Sequence, residues 1–235
     1  MSTVLSIMDR AEWGACTDNI VVADPAEQTL LWVPRDLWCE SFGNRINRVF
    51  ANERHDGLRR VLAEHGITVD HSLCVRREAT ERALASLAIT VPVSERLEFW
   101  YPISLDRPTE EGNRKRVVFE PPSEHLEGDR IHQWLGARFE VEIHRRPLLE
   151  TSDFARIRRQ QVLLRLMLDD GFDFASALAD QRFVSASGPE ASEELALING
   201  GWRFAVMEEV RNTVRDGKMV LERTAPTAVR ASQDD

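Results

Sequence analysis

The stretch Asp153-Phe-Ala-Arg-Ile-Arg-Arg-Gln-Gln161 contains the clearest secondary-structure signal in this chain. Apolar residues recur through and beyond it at helical spacing, which predicts an amphipathic helix with one buried stripe that runs to about residue 170. They are Phe154, Ile157, Leu164 and Leu168. Ser152 or Asp153 is placed to cap the N-terminus of this helix through a side-chain oxygen.

Three arginines, Arg156, Arg158 and Arg159, follow in the first two turns of the predicted helix. Their charge opposes the helix dipole, whose N-terminal end favours anions. Arg156 and Gln160 lie one turn apart on the border of the apolar stripe, where their side chains can point into a cleft. The pattern has two interpretations. Either an anion binds at the helix start and the arginines hold it, or the helix has a solvated basic face.

The composition is that of an ordinary globular protein. Of the 235 residues, 43% are apolar and 29% are charged, so we expect one domain with a single sizeable core. The formal net charge of −9 argues against general affinity for nucleic acid or for an anionic membrane surface. Arginine far outnumbers lysine, and arginine is the better residue for bidentate recognition of phosphate.

The cysteines and the N-terminus indicate the cellular compartment. Cys16, Cys39 and Cys74 are odd in number and lack Cys-x-x-Cys spacing, which favours reduced thiols over a disulfide framework or a zinc site. No basic region precedes the short apolar run at the N-terminus, so the sequence does not indicate a signal peptide. No window approaches the ~18 consecutive apolar residues of a membrane helix. We therefore expect a soluble, cytoplasmic protein.

Predicted strands and helices are interleaved along the chain. Residues 4–8 form a short apolar run, and the runs 19–23 and 30–33 flank an Asp24-Pro25 turn, which predicts an antiparallel hairpin. The interleaving indicates an α/β protein, an α-β-α layered single domain with a central mixed and partly antiparallel sheet. We predict that this domain spans residues 1–224 and that residues 225–235 form a disordered tail.

Two aspartates border the first two predicted strands. Asp9 follows the first strand and Asp18 precedes the second, and such a strand end is a common edge for a ligand site in an α/β sheet. Two carboxylates brought close there could hold Mg²⁺, which prefers few carboxylates together with waters and phosphate oxygens. The alternative, which spacing alone favours, is a capping Asp9 and a turn Asp18.

Cations gather around the end of the third strand. Arg35 and Asp36 follow it, so Arg35 could be aimed at a phosphate and oriented by its neighbour, or the two could form an exposed ion pair of little value. Arg45 and Asn47 add a cation and an amide in a loop near the same sheet edge. Arg138 ends a predicted helix, where simple C-terminal capping is its alternative role.

The order of these pieces resembles the catalytic domain of the LytR-CpsA-Psr family over about residues 4–210. The resemblance rests on five segments with family counterparts. They are Met8-Asp9-Arg10 with Thr17-Asp18-Asn19, Leu31-Trp-Val-Pro-Arg-Asp-Leu37, Gly43-Asn-Arg-Ile-Asn-Arg-Val-Phe50, Leu126-Glu-Gly-Asp-Arg-Ile-His-Gln-Trp-Leu-Gly-Ala-Arg138 and the opening stretch. The last is nearly the family signature Asp-Phe-x-Arg-x-x-Arg-Gln as it stands.

The resemblance implies a function and a set of site residues. Proteins of the family are phosphotransferases that move polyprenyl diphosphate-linked glycopolymers onto peptidoglycan or a related acceptor. By this resemblance Asp9 and Asp18 would bind magnesium. The residues Arg35, Arg138, Arg156 and Gln160 would hold the diphosphate, with Asp36 beside them. This agrees with the chemistry, because phosphoryl transfer needs positioned positive charge more than covalent help.

The chain departs from the family pattern at two arginines. Cys16 and Gly136 stand where the family has arginine, and Arg10, Arg145 or Arg146 could replace the missing cations. The family is normally anchored by an N-terminal transmembrane helix, which this sequence does not show. Two explanations compete: a degenerate or excised transferase, or a soluble relative that uses a prenyl-diphosphate pocket on a soluble isoprenoid diphosphate.

Aromatic residues could line a long apolar pocket for a prenyl chain. We expect roughly a third of them to do so and the others to be core. The set is Trp32, Trp38, Phe99, Trp100, Trp134, Phe139 and Trp202.

The sequence thus predicts a Mg²⁺-dependent enzyme acting on a prenyl diphosphate or prenyl diphosphate-linked substrate. We predict Arg35, Asp36 and Arg156 as catalytic residues. The predicted diphosphate ligands are Arg35, Arg45, Asn47, Arg138, Arg156, Arg159 and Gln160, and the predicted metal ligands are Asp9 and Asp18. The alternatives are a soluble, terpene-synthase-like enzyme that ionises the C–O bond of an isoprenoid diphosphate, and a non-catalytic module that binds a prenyl or phosphorylated ligand.

Overall fold

The computed structural model describes residues 2–8, 16–103, 112–137, 139–140, 153–172, 184–195, 197–198, 201–207 and 210–224. The chain divides into two compact units, the first formed by Met1–Ala83 with Gly171–Asp235 and the second by Leu84–Asp170.

The first unit contains a six-stranded sheet, two short pairs of strands and the helices around them. Its elements up to the unit boundary are β1 (Thr3–Met8), β2 (Thr17–Asp24), β3 (Thr29–Val33), β4 (Trp38–Cys39), β5 (Asn44–Arg45), a 3₁₀ turn (Ile46–Arg48), α1 (Val49–Glu64), β6 (His71–Val75) and α2 (Arg77–Leu84). The second unit contains β7 (Ala88–Pro92), β8 (Leu97–Pro102), β9 (Arg114–Phe119), β10 (Ser123–Glu127), α3 (Asp129–Gly136), β11 (Phe139–Glu140) and α4 (Asp153–Asp169). The chain then returns to the first unit with β12 (Val184–Ala186), α5 (Glu190–Leu195), β13 (Arg203–Val206), β14 (Val210–Arg215) and β15 (Lys218–Arg223).

The large sheet is mixed, as predicted. Its strand order is β12-β6-β1-β2-β3-β13. The strands β1, β2 and β3 are antiparallel neighbours, while β6 runs parallel to β1 and β13 runs parallel to β3. The predicted hairpin around Asp24-Pro25 is the β2–β3 pair. Every residue of β3 is buried, as expected of a strand covered on both faces. The α/β fold class with a central mixed sheet is confirmed.

Helix α1 packs beside β6 and contains one break. Arg54 has φ 56° and ψ −147°, a conformation outside the helical region, so α1 consists of two helical segments joined at this residue. Val49 and Phe50 extend the buried face of the helix to the N-terminal side of this break.

The second unit has a core of packed aromatic side chains. Phe119 lies edge-on to Phe99 with ring centroids 6.2 Å apart and edge-on to Trp134 at 5.0 Å. Such edge-to-face pairs contribute about 0.5–1.5 kcal/mol each beyond burial of area. The strands of this unit form the pairs β7–β10 and β8–β9, with β11 alongside β8.

Most of the aromatic residues considered for a prenyl pocket are buried. Trp100 is 39% exposed, and the side chain of Phe139 lies outside the described residues. The buried members of the set are Trp32, Trp38, Phe99, Trp134 and Trp202. The predicted tail at residues 225–235 lies outside the described residues.

Helix α4 matches the predicted length, but its buried face differs from the predicted stripe. Leu163, Met167 and Leu168 are buried, whereas Ile157 and Leu164 are only partly buried. Leu168 is thus buried as predicted, while buried polar side chains that the apolar pattern does not include precede these residues on the helix. These polar side chains are Arg156, Arg159 and Gln160.

Candidate functional site at the sheet edge

The topology of the large sheet brings several chain segments to one edge. Strands β1, β3 and β6 run in the same direction, and β2 runs opposite to them. The carboxyl ends of β1, β3 and β6 therefore lie at one edge together with the amino end of β2. We call this the carboxyl edge and define it by Met8, Thr17, Val33 and Val75. In open α/β sheets such an edge is the usual place for a ligand.

A β-bulge lies at the carboxyl edge between β1 and β2. Ile7 pairs with Asn19 and Met8 pairs with Thr17, so Asp18 is an extra residue without a partner on β1. Bulges re-aim side chains and are common beside active sites. The backbone of Asp18 thus lies next to the end of β1, and Asp9 directly follows that end in the chain. The side chain of Asp18 and the whole of Asp9 lie outside the described residues.

The loop after β3 brings an acidic side chain between two arginines. One carboxylate oxygen of Asp36 lies 3.2 Å from Nη1 of Arg45, and the other lies 4.0 Å from Nε of Arg35. These side chains are largely withdrawn from solvent, with 12% of Arg35, 18% of Asp36 and 29% of Arg45 exposed. Since two guanidinium groups share one carboxylate, the cluster carries a net positive charge. The electrostatic interactions of these side chains are stronger than those of fully solvated charges because little water screens them.

Backbone hydrogen bonds fix this loop. The N–H of Ile46 donates to the carbonyl of Leu37 at 2.8 Å, and the N–H of Asn47 donates to the carbonyl of Arg35 at 3.2 Å. The carbonyl of Asp36 accepts from the N–H of Leu221 on β15 at 2.9 Å. The two arginines therefore project from a held framework rather than from a free loop, which lowers the entropic cost of binding an anion.

Asn47 connects the arginine cluster to the bulge. Its carbonyl accepts a hydrogen bond from the hydroxyl of Thr17 at 3.4 Å, and Thr17 is the neighbour of Asp18. The side chain of Asn47 is 3% exposed, and within the described part of the chain its buried Oδ1 has no hydrogen-bond partner. A buried amide oxygen without a partner is costly unless something binds there. A half-turn of the amide would present its NH₂ group instead, so Asn47 suits either a cation or a phosphate oxygen.

The predicted site residues of the second unit lie on α4. Arg156 is 2% exposed and is among the largest fully buried side chains, and Arg159 and Gln160 are buried as well. Only Arg158, of the arginines that begin this helix, is exposed. The interpretation of a solvated basic face therefore holds for Arg158 alone.

Arg159 and Gln160 bind the last turn of α3. Arg159 donates from Nε to the carbonyl of Trp134 at 3.0 Å and from Nη2 to the carbonyl of Ala137. Gln160 donates from Nε2 to the carbonyl of Leu135 at 3.1 Å. In return, Nε1 of Trp134 donates to the carbonyl of Arg159 at 3.1 Å. These donors satisfy carbonyls that a helix end leaves without intrahelical partners. Arg138, the next residue after Ala137, lies outside the described residues.

The two positions where the resemblance leaves an arginine missing differ in their surroundings. A Cβ atom added at Gly136 would lie 3.3 Å from Cε2 of Tyr101, so a longer side chain there would need this ring to shift slightly. The hydroxyl of Tyr101 donates to the carbonyl of His132 at 3.2 Å, which holds the ring there. Cys16, half-buried, directly precedes β2 at the carboxyl edge.

The first unit also contains a histidine that hydrogen-bonds to two serines, and two buried cysteines. His55 hydrogen-bonds through Nδ1 to Oγ of Ser72 at 2.6 Å and through Nε2 to Oγ of Ser185 at 3.0 Å, and burial lowers the pKa of this imidazole. Burial also raises the pKa of the Cys39 thiol to about 12 and raises that of Cys74. The thiols of Cys39 and Cys74 are thus protonated near neutral pH and unsuited to nucleophilic chemistry.

The sequence did not single out Arg76, which the topology places at the carboxyl edge. It follows β6, as Arg35 follows β3 after Pro34. The sequence signal was therefore present, an arginine just after a buried strand. The parallel pairing of β6 with β1, which gives that arginine its significance, could not be read from the sequence.

Metal-binding groups and membrane helices are both absent from the described ranges. In those ranges no three or more His, Cys, Asp or Glu side chains lie close enough to hold a metal ion. Among the same residues, no helix has the length and apolar character needed to cross a membrane.

The fold matches that of known LytR-CpsA-Psr proteins. A structure of TagT bound to LI-WTA has 17% sequence identity and a TM-score of 0.61, with 94% of this chain and 83% of that chain covered. TagV from B. subtilis has 14% identity and a TM-score of 0.58, with 95% and 90% covered. Protein gbs0355 from Streptococcus agalactiae has 16% identity and a TM-score of 0.64, with 95% and 82% covered. No protein-family model and no curated protein sequence matches the chain. TagT and TagV are wall teichoic acid enzymes of the LytR-CpsA-Psr family, and the likeness shows a shared fold.

Proposed function

We propose that this chain, whose fold is that of the LytR-CpsA-Psr proteins, is a Mg²⁺-dependent phosphotransferase acting on a prenyl diphosphate-linked substrate. The observation that carries the proposal is the pair Arg35 and Arg45 held on the carboxylate of Asp36 at the carboxyl edge. TagT, a protein of the same fold, has been captured with LI-WTA.

The arginine cluster suits the chemistry of phosphoryl transfer. In that reaction an acceptor oxygen forms a new bond to phosphorus while the P–O bond to the leaving phosphate breaks. Negative charge then spreads over the phosphoryl oxygens and the leaving oxygen, and positioned cations stabilise it. Arg35 and Arg45 would bind these oxygens, and Asp36 would orient both guanidinium groups. Each charge-assisted hydrogen bond of this kind contributes about 1.5–3 kcal/mol.

The proposed magnesium ligands are Asp9 and Asp18. Mg²⁺ prefers hard oxygen ligands, of which these two residues would supply carboxylates, and the buried Oδ1 of Asn47 offers a further acceptor. When bound, the ion would neutralise charge on the phosphate oxygens.

Four residues of the second unit are diphosphate ligands by sequence motif alone, and the proposal does not depend on them. They are Arg138, Arg156, Arg159 and Gln160. In the structure, Arg159 and Gln160 donate to carbonyls at the end of α3.

A second candidate function is a module that binds a prenyl or phosphorylated ligand without turnover. The residue at position 136 favours it, because Gly136 stands where the family has an arginine and supplies no charge. Catalysis depends on charge stabilisation in the transition state more than binding does. A site with fewer cations could therefore retain affinity while losing rate.

The test is the fate of farnesyl diphosphate or geranylgeranyl diphosphate in H₂¹⁸O, with and without Mg²⁺, where water serves as a surrogate acceptor. We expect release of phosphate that carries ¹⁸O, since attack occurs at phosphorus. A label in the prenyl alcohol would instead indicate C–O ionisation, the terpene-synthase-like alternative. Tight binding without any product would favour the binding module.

Variants separate a site effect from a general effect of lost charge. Arg35→Met should lower turnover by at least about tenfold, given the loss of one charge-assisted contact. Arg203→Met is the matched control. Arg203 begins β13 beside Thr29, at the opposite end of β3 from Arg35, and its side chain is 56% exposed. Equal losses in the two variants would contradict the proposal.

A further inference from the structure

We propose that Arg76 is a further diphosphate-binding residue of the carboxyl edge, placed on the side of β1 away from Arg35 and Arg45. The inference rests on the proposed function and adds to it a cation that the sequence motifs do not include.

The first argument is register. Strand β6 runs parallel to β1 with Val75 beside Ile7, so the next positions along the two chains are Arg76 and Met8. On its other side Met8 pairs with Thr17 of β2. Neighbouring strands lie about 4.8 Å apart, so the backbones of Arg76 and Thr17 flank the end of β1 at a separation of about 10 Å. An arginine side chain spans much of this distance.

The second argument is the partial burial of the Arg76 side chain and its ion pair with Glu78. Arg76 is 23% exposed, and its Nη2 lies 2.7 Å from Oε1 of Glu78, near the start of α2. The carboxylate of Glu78 thus contacts a rigid, planar guanidinium group. Glu78 therefore orients Arg76 at the edge in the way that Asp36 orients Arg45 after β3.

A purely local role for this ion pair is the competing explanation. A carboxylate near the start of a helix is favourable by itself, and an Arg76–Glu78 pair could serve only to begin α2. The neighbouring pair, Arg77 Nε to Glu81 Oε1 at 2.6 Å, already has this local function at helical i,i+4 spacing. It follows that Arg77 provides a control with the same charge, one residue away.

The third argument is the distribution of charge around the edge. Arg35 and Arg45 follow β3 or lie beside it, on the β2 side of β1, while Arg76 lies on the β6 side. Cys16 stands on the β2 side, immediately before Thr17, where the family resemblance leaves a cation missing. A diphosphate at the end of β1 would thus be approached by guanidinium groups from both sides, and Arg76 would compensate for the missing charge.

The experiment measures binding of inorganic diphosphate to the full chain by isothermal titration calorimetry, with Mg²⁺ present. We expect Arg76→Gln to weaken binding by about tenfold or more, the loss of one charge-assisted contact. Arg77→Gln should leave Kd within about twofold of the wild type. Equal Kd values for the two variants would overturn the inference and leave Arg76 a structural residue.

Two further measurements keep the test decisive. Arg35→Met distinguishes the two proposals: if it weakens binding and Arg76→Gln does not, only the present inference fails. If the wild type itself does not bind diphosphate, the proposed function fails too. Should Arg76→Gln not fold, phenylglyoxal modification of the wild type replaces it. Bound diphosphate should protect Arg76 and not Arg77 from the reagent, and equal protection or none would overturn the inference.

Discussion

Arg159 should prove to be one of the most important side chains for stability in the second unit. Its guanidinium donates to the carbonyls of Trp134 and Ala137 and lies 4.5 Å from the ring centroid of Phe99, with only 6% of the residue exposed. We predict that Arg159→Met, which keeps the apolar stem and removes the charge, strongly lowers the free energy of unfolding.

The magnitude follows from these contacts. Two hydrogen bonds from a charged donor contribute about 1.5–3 kcal/mol each, so their loss alone costs at least about 3 kcal/mol. The contact with Phe99 is a desolvated cation–π interaction and adds up to about 2 kcal/mol. The two carbonyls at the end of α3 also lose their donors, while the methionine side chain recovers part of the apolar packing. We therefore expect a net loss of about 3–5 kcal/mol.

The assay is urea unfolding monitored by circular dichroism, supported by amide hydrogen exchange in α3. The matched control is Arg158→Met on the same helix, where the exposed side chain should contribute less than about 0.5 kcal/mol. Faster exchange in the last turn of α3 should accompany the Arg159 variant alone. If the two variants unfold within about 1 kcal/mol of each other, Arg159 does not hold α3 in the manner described, and its buried contacts have been overvalued.

Three smaller predictions concern the first unit. Arg54→Gly should raise the free energy of unfolding by about 1 kcal/mol, because Arg54 has φ 56° and ψ −147°, a conformation that only glycine adopts without strain; an unchanged or lower urea midpoint would count against this. Because the pKa of His55 is lowered in the folded chain, the imidazole takes up a proton at a higher pH in the unfolded chain than in the folded one. The free energy of unfolding should therefore fall as the pH drops from 7 towards 5, and His55→Gln should flatten this pH profile. The raised pKa of Cys39, about 12, predicts that iodoacetamide at pH 8 alkylates its thiol only after unfolding, later than the half-buried Cys16.

The local parts of the fold were readable from the sequence. The hairpin of β2 and β3 follows from two apolar runs around Asp24-Pro25, and the length of α4 follows from helical periodicity. The pairings of β6 with β1 and of β13 with β3 join segments distant in the chain, and no local pattern specifies them. Those pairings extend the sheet on both sides of β1, β2 and β3, and the first of them places Arg76 beside the end of β1.

The candidate site was predictable in its residue types but not in its contacts. The pattern Pro-Arg-Asp after a buried strand indicated Arg35 and Asp36, and the structure adds that Asp36 also holds Arg45. On α4 the apolar pattern was incomplete because polar side chains share the buried face with the apolar ones. Local sequence rules are expected to fail where polar groups have specific partners, and Arg159 on the carbonyls at the end of α3 is such a case.

The most direct test of the central claim is a crystal structure of the chain soaked with farnesyl diphosphate and Mg²⁺. The account predicts a diphosphate at the carboxyl edge, with phosphate oxygens within hydrogen-bonding distance of the guanidinium groups of Arg35 and Arg45, and Mg²⁺ on Asp9 and Asp18. A diphosphate bound elsewhere, without contact to Arg35 or Arg45, would contradict it.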